Sequence, residues 1–139
     1  MPVLIIIGLI LALTGAVLYV STSETPAPVA ETSETESVPT SVFKNGTFTA
    51  EGHYVSPAGN ETVQISVVLT DDVVTGATFT AETTHNTSQK FQTLFSEGYT
   101  TYVVGKKLSD ISLTVVNGAS LVPKGFMDGL AQVKAQARI

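Results

Sequence analysis

The chain has 139 residues and a formal charge of −5, and it contains no cysteine. The missing thiols exclude disulfides, thiolate zinc sites, iron–sulfur clusters, covalent c-type haem and cysteine nucleophiles. The acidity is local: Glu24, Glu31, Glu34 and Glu36 lie in a stretch without Lys or Arg, while residues 41–139 carry seven basic and eight acidic side chains, a net of −1. A near-neutral domain with scattered lysines has no electrostatic footprint for nucleic acid, so nucleic acid is not expected as a partner.

Val3 to Val20 is a run of eighteen residues without a charge. As a helix it rises about 27 Å, close to the ~30 Å of a bilayer core. The expectation is a single N-terminal transmembrane anchor over residues 1–20. A cleaved signal peptide is the competing reading, but its apolar run is usually shorter and follows basic residues. Here only Met1 and Pro2 precede the run. Ser21 to Thr40 is built from Ser, Thr, Glu, Pro, Ala and Val with no aromatic residue. It lacks the apolar surface to order itself, so residues 21–40 are expected to be a disordered acidic linker. An acidic, lysine-free segment after the anchor fits the non-cytoplasmic side. The expected arrangement is a single-pass membrane protein with an extracytoplasmic domain over residues 41–139.

From Asn45-Gly46 the pattern turns to period two, with Phe48, Ala50, Gly52 and Tyr54 on one side and Thr47, Thr49, Glu51 and His53 on the other. That is a half-buried strand. Ser56 to Asn60 is a turn cluster, after which Val63, Ile65, Val67 and Leu69 alternate with Thr62, Gln64, Ser66 and Val68. Asp71-Asp72 reverses the chain into a third strand whose apolar side is expected to be Val73, Ala77, Phe79 and Ala81. Asn86 and Gln89 form a capping pair for a helix with Phe91, Leu94 and Phe95 on one face, ending near Gly98. Tyr99 to Leu108 reads equally as a helix extension or an extended piece. Ile111 to Val116 is predicted as a further strand, Asn117 to Ser120 as a turn, and Pro123 opens a last helix with Phe126, Leu130, Val133 and Ala137 on one face. The predicted fold class is α+β: an antiparallel sheet beginning with a β-meander and two packed helices, preceded by one transmembrane helix.

Four phrases in this order carry a resemblance: Phe43-Lys44-Asn45-Gly46-Thr47-Phe48 opening a strand, an Asp-rich hairpin, His85-Asn86-Thr87 before a helix, and Val115-Val116-Asn117-Gly118-Ala119-Ser120 before the last helix. Over about residues 43–137 the chain resembles the FMN-binding domain of flavin subunits in sodium-pumping and Rnf-type electron-transfer complexes. The resemblance implies FMN as cofactor, joined through its phosphate to a Ser or Thr hydroxyl by a flavin transferase acting on FAD, and redox proteins as partners. The family motif is Asp, two variable residues, Ser or Thr, Gly, Ala, then the acceptor. On this chain it gives Ser120 as acceptor with Gly118 and Ala119 in place, while Thr114 stands where the family has Asp and Asn117 where it has Ser or Thr.

Chemistry supports the same turn independently. Gly118 lets backbone approach a phosphate, Ser120 offers a hydroxyl, the N–H groups opening the following helix favour an anion, and Lys124 adds a cation. The bland alternative is a turn glycine followed by a helix-capping serine. Asp72 to Thr78 matches the acceptor motif at every position, making Thr78 a rival acceptor, but it runs into a strand rather than a helix N-terminus. Its context ranks it below Ser120. For the flavin ring the candidates are His85, Tyr54, Tyr99 and Tyr102, with His85 preferred for its place at a strand-to-helix junction. Two histidines without cysteine make a poor metal set. The expected role is an electron-relaying flavoprotein domain, and the alternative is a flavin-free binding module on the same fold.

Overall fold

The computed structural model describes residues 40–139. The expected anchor, and the linker up to residue 39, lie outside the described residues. Among the described residues no helix is long and apolar enough to cross a membrane. Strands β1 (Gly46–Ser56), β2 (Gly59–Thr70) and β3 (Val73–Glu82) form one antiparallel sheet in the order β1-β2-β3. They are followed by α1 (Asn86–Gly98), the single turn α2 (Thr100–Val103), a 3₁₀ turn at Leu108–Asp110, and α3 (Val122–Ala137). The architecture is therefore α+β, with helices on one face of a three-stranded meander.

Side-chain parity decides which face is covered, because successive residues of a strand point to opposite sides. Ala50, Gly52 and Tyr54 of β1 and Val63, Ile65, Val67 and Leu69 of β2 are buried, as the alternation predicts. The third strand departs from prediction. Val68 pairs with Gly76 but Leu69 pairs with Val74, so one extra residue, Thr75, bulges from β3. A bulge reverses parity locally, which turns Val74 fully inward and leaves Val73 half-buried, while Ala81, in regular register opposite Val63, is exposed near the end of the strand.

The β2–β3 turn places both Asp71 and Asp72 at positive φ, 50° and 65°. Such a pair matches the twist of a hairpin, and Asp is among the few residues that tolerate it. The turn is pinned from outside. Asp72 accepts the Ser41 hydroxyl and the Val42 and Phe43 N–H groups, and Asn45 Oδ1 accepts the Asp71 N–H. Lys44 N–H in turn donates to Ala137 C=O, so both ends of the domain meet at this turn.

Helix α3 lies on β1 and β2 at a distance that only glycine permits. A β-carbon on Gly52 would overlap the Gly125 carbonyl and stand 2.9 Å from Gly129 N; one on Gly125 would stand 2.6 Å from Tyr54 Cδ1. Phe126, Leu130, Val133 and Ala137 are consequently buried, the face read from the sequence. On the next face of α3, four residues apart, Asp128 accepts His53 N–H while Gln132 and Gln136 donate to the carbonyls of Glu51 and Thr49. These side chains satisfy the free edge of β1, where another strand would otherwise add.

Three further predictions are corrected. The buried stripe of α1 is Ser88, Gln92 and Phe95, continued by Tyr99, while Phe91 is 39% exposed. Asn86 is not a cap either, since the N-cap is His85 and forms no side-chain capping bond. Ile111 to Val116 is not a strand: Ile111, Leu113 and Val116 are buried, but the segment makes only the bridge from Val116 to Ala119. The β3 edge it would need is already engaged by Lys107, which bridges Val73, and by the Tyr99 hydroxyl, which donates to Ala77 C=O. Apolar alternation requires a surface to lie on, not a partner strand. Phe79, Phe95, Tyr99 and Phe126 provide an aromatic cluster with ring centroids 4.9–5.9 Å apart.

Candidate functional site

Three short segments far apart in sequence converge on one cavity of about 400 Å³. The β1–β2 hairpin contributes Tyr54, Ser56, Pro57 and Ala58. The first turn of α1 brings Thr87, Ser88 and Phe91, and the approach to α3 brings Gly118, Ser120, Leu121 and Val122. Each segment is placed by local chemistry. The hairpin closes in two residues, Pro57-Ala58, because Ser56 pairs with Gly59 and Gly59 takes a φ of 119°. Asn117 and Gly118 both have positive φ, 48° and 79°, and Val116 and Ala119 exchange backbone hydrogen bonds across them. That tight turn aims the chain into α3.

The sequence-predicted residues divide. Gly118 and Ser120 stand in the cavity wall. Ser120 does not cap α3: the N-cap is Leu121 and no side-chain cap is formed, so the bland reading of this serine does not describe the turn. The opening N–H groups of a helix have no partner inside it, and here Leu121 and Val122 line the cavity while Pro123 has no N–H to offer. Asn117 serves the scaffold instead, with Nδ2 donating to the Leu94 carbonyl of α1 at 3.0 Å. Ala119 is 1% exposed and belongs to the core. Lys124 is exposed and outside the wall, its N–H bonded to Leu121 C=O. Thr78 is exposed on β3 opposite Ser66, on the uncovered face of the sheet and away from any helix N-terminus. Of the aromatic candidates Tyr54 lines the cavity, Tyr99 is in the aromatic cluster, and Tyr102 is 53% exposed outside the wall. His85 is exposed at the start of α1, also outside the wall.

Behind the cavity lies a buried polar group that sequence reasoning missed. Glu61 is 5% exposed, and its Oε1 accepts hydrogen bonds from Ser88 Oγ at 2.6 Å and Ser56 Oγ at 3.2 Å. Burial pushes its carboxyl up, but hydrogen bonds from Ser88, Thr83 and Ser56, with the nearby His85, outweigh this and hold it below its ordinary value. Glu61 is therefore a carboxylate at neutral pH. Next to it Gln92 Nε2 donates to the Tyr54 hydroxyl at 2.9 Å, while Gln92 Oε1 is buried without a partner among the described residues. Burial, reinforced by the Glu61 charge and opposed by the Gln92 bond, raises the Tyr54 phenol. The parity of β2 contained the signal for Glu61, since position 61 shares the inward set of 63, 65, 67 and 69. Ser88 and Gln92 likewise occupy the inward stripe of α1, where a search for apolar residues passes over them.

The site thus has an anion-accepting end at Gly118, Ser120 and the start of α3, and an apolar middle of Phe91, Leu121 and Val122. Its hydroxyl-lined end is backed by Glu61. Among the described residues no group of three or more His, Asp or Glu is placed to hold a metal. No protein-family model, curated protein or solved structure matches the chain. The functional reading therefore stands on the site.

Proposed function

We propose that this chain is a membrane-tethered FMN-binding protein that relays electrons between membrane or envelope partners. The observation that carries the reading is the convergence of Gly118, Ser120 and the α3 N-terminus with Phe91 and Tyr54 on one cavity. Its size falls within the roughly 300–1,000 Å³ of small-molecule sites, which are mostly apolar with a few placed polar groups. The residues fit the group: Ser120 and the Val122 N–H at the start of α3 suit a phosphate, and Phe91 with Tyr54 supplies flat surface for a ring. When bound, FMN supplies the redox chemistry. The chain's part is to hold, orient and shield it.

Attachment through Ser120 would form an Oγ–phosphorus bond as the pyrophosphate of FAD breaks and AMP leaves, which requires a flavin transferase as partner. Thr78, in its exposed strand, is the second acceptor. Residues 1–20 serve in this reading as a single-pass anchor and 21–40 as a tether, with the domain extracytoplasmic. The flavin-free binding module is favoured by one observation, namely that Asn117 holds Leu94 C=O in the place of the motif's hydroxyl.

The test is an absorbance spectrum and intact mass of the full chain in detergent, co-expressed with a flavin transferase, beside Ser120→Ala and Thr78→Ala. A flavin spectrum with an FMN-sized mass increment lost only in Ser120→Ala supports the reading in full. Loss only in Thr78→Ala moves the attachment to β3. Colour without added mass means FMN held by the cavity alone, and a colourless chain that binds no added FMN replaces the reading with the flavin-free module.

A further inference from the structure

The hydroxyl-lined end of the cavity has a definite polarity. A serine hydroxyl has one proton to give, and both serines at this end have given theirs inward. Ser88 donates to Glu61 Oε1 at 2.6 Å, and Ser56 donates to the same oxygen at 3.2 Å or to Gly59 C=O at 3.4 Å. Ser56 Oγ also accepts the Ala58 N–H at 3.0 Å, which fixes the hydroxyl against its own hairpin. What remains facing the cavity is oxygen lone pairs with a buried negative charge behind them. These two oxygens offer a carbonyl no proton, and the charge behind them disfavours an anion against them, while the donors of this wall are the Thr87 hydroxyl and the uncapped N–H groups of the first turn of α1.

We infer that Glu61 is a positioning residue that acts through Ser56 and Ser88, making these two oxygens an acceptor pair that selects ligands donating O–H or N–H bonds to them. The inference rests on the flavin reading, in which two parts of the ligand carry such donors: the ribityl hydroxyls and the imide N–H of the ring. A site built around hydrogen bonds discriminates strongly against ligands that cannot make them, since its buried polar groups are then left unpaired.

Glu61→Gln keeps the shape and removes this polarity. The new amide N–H₂ donates to a serine oxygen, takes up its lone pair and frees the serine proton to turn into the cavity. The experiment measures binding of riboflavin, lumiflavin, in which a methyl replaces the ribityl chain, and 3-methylriboflavin, which lacks the imide N–H. Fluorescence titration of the full chain in detergent, without transferase, gives each Kd. The wild type is expected to bind riboflavin at least about tenfold more tightly than whichever analogue lacks the recognised donor. The analogue that loses affinity identifies the source. In Glu61→Gln that ratio falls to within about threefold of unity, because the charge-backed acceptors that produced it are gone. Ser56→Ala, which leaves the Ser88 bond to Glu61 intact, lowers the ratio part of the way and decides the matter if Glu61→Gln does not fold. A ratio unchanged in both variants, or equal binding of all three flavins by the wild type, overturns the inference while the flavin reading stands. Failure of the wild type to bind any of the three, together with a colourless co-expressed chain, overturns both.

Discussion

Gly52→Ala probes the contact on which the cavity's placement depends. The added β-carbon would overlap the Gly125 carbonyl, with its carbon at 2.7 Å and Gly129 N at 2.9 Å. Both neighbours are backbone atoms, so no rotamer change relieves the overlap and α3 must lift from the sheet. A gap of only ~0.5–1 Å forfeits a quarter to a half of each dispersion well it opens. Phe126, Leu130 and Val133 all face the sheet at 0% exposure. If each keeps its burial but loses about a quarter of a contribution of ~2 kcal/mol, the face loses about 1.5 kcal/mol. Overpacking strain adds ~1–3 kcal/mol, for a total near ~3–4 kcal/mol.

That is a large share of the ~5–15 kcal/mol expected of such a domain, and at ~4–8 °C per kcal/mol it lowers Tm by roughly 12–30 °C. Urea unfolding followed by circular dichroism, with thermal melts alongside, reads the effect. Gly76→Ala is the control. Its β-carbon would stand 3.5 Å from Val68 Cγ2, an ordinary contact, and the change should stay within about 0.5 kcal/mol of wild type. A Gly52→Ala protein within about 1 kcal/mol of wild type would refute the close approach of α3 to β1, and with it the argument for where α3 begins.

Two other predictions concern the frame of the site. Asn117→Ala removes a hydrogen bond to α1 and forces a β-carbon residue without local polar support into the left-handed region, for a loss of ~2 kcal/mol. Asn117→Gly keeps the backbone freedom and should lose about half as much; equal losses in urea unfolding would show that the turn is not strained. Acid stability is the second. Glu61 is held low by the hydrogen bonds that outweigh its burial, and Asp72 by Val42 N–H above all, then Phe43 N–H, Ser41 and Lys107, against some desolvation. A depressed folded pKa means that the unfolded chain binds more protons in acid, so stability is complete above the ordinary carboxylate values and falls as pH drops through the folded ones. Melts should therefore be level in this respect from about pH 7 to 5 and decline below about pH 4.5. Asp72→Asn should flatten part of that decline; a slope identical to wild type would remove Asp72 from the account.

The legible parts of the fold were those in which one periodicity governs every residue. Strands β1 and β2 and the apolar face of α3 follow from parity and from helical spacing alone. The third strand did not, because a bulge at Thr75 reverses parity without any mark in the sequence beyond an ordinary Thr-Gly pair. Ile111 to Val116 alternates as a strand does without forming a ladder, because the edge that would supply one is engaged by Lys107 and Tyr99. In the site, Gly118 and Ser120 were legible from turn chemistry. The opposite wall was not, since Ser56 to Ala58 reads only as a hairpin until folding brings it beside α1 and α3. Glu61 shows the limit most sharply: its parity pointed inward, and only the serines that meet it explain how a carboxylate rests there.

The same contacts give the domain two poles. The described chain begins at Thr40, and Ser41 to Phe43 are fastened at once by Asp72 at the β2–β3 turn, beside the C-terminal end of α3. The cavity is at the β1–β2 hairpin, the other end of strand β2, whose twelve residues span roughly 36 Å at ~3.3 Å per residue. Strand β2 crosses the whole distance and α3, sixteen residues at ~1.5 Å each, about 24 Å of it, so the separation is set by rigid elements and not by loops. The Asp72 clamp therefore ties the entering chain to the pole opposite the cavity, so that releasing Ser41 to Phe43 loosens that pole and leaves the cavity wall in place.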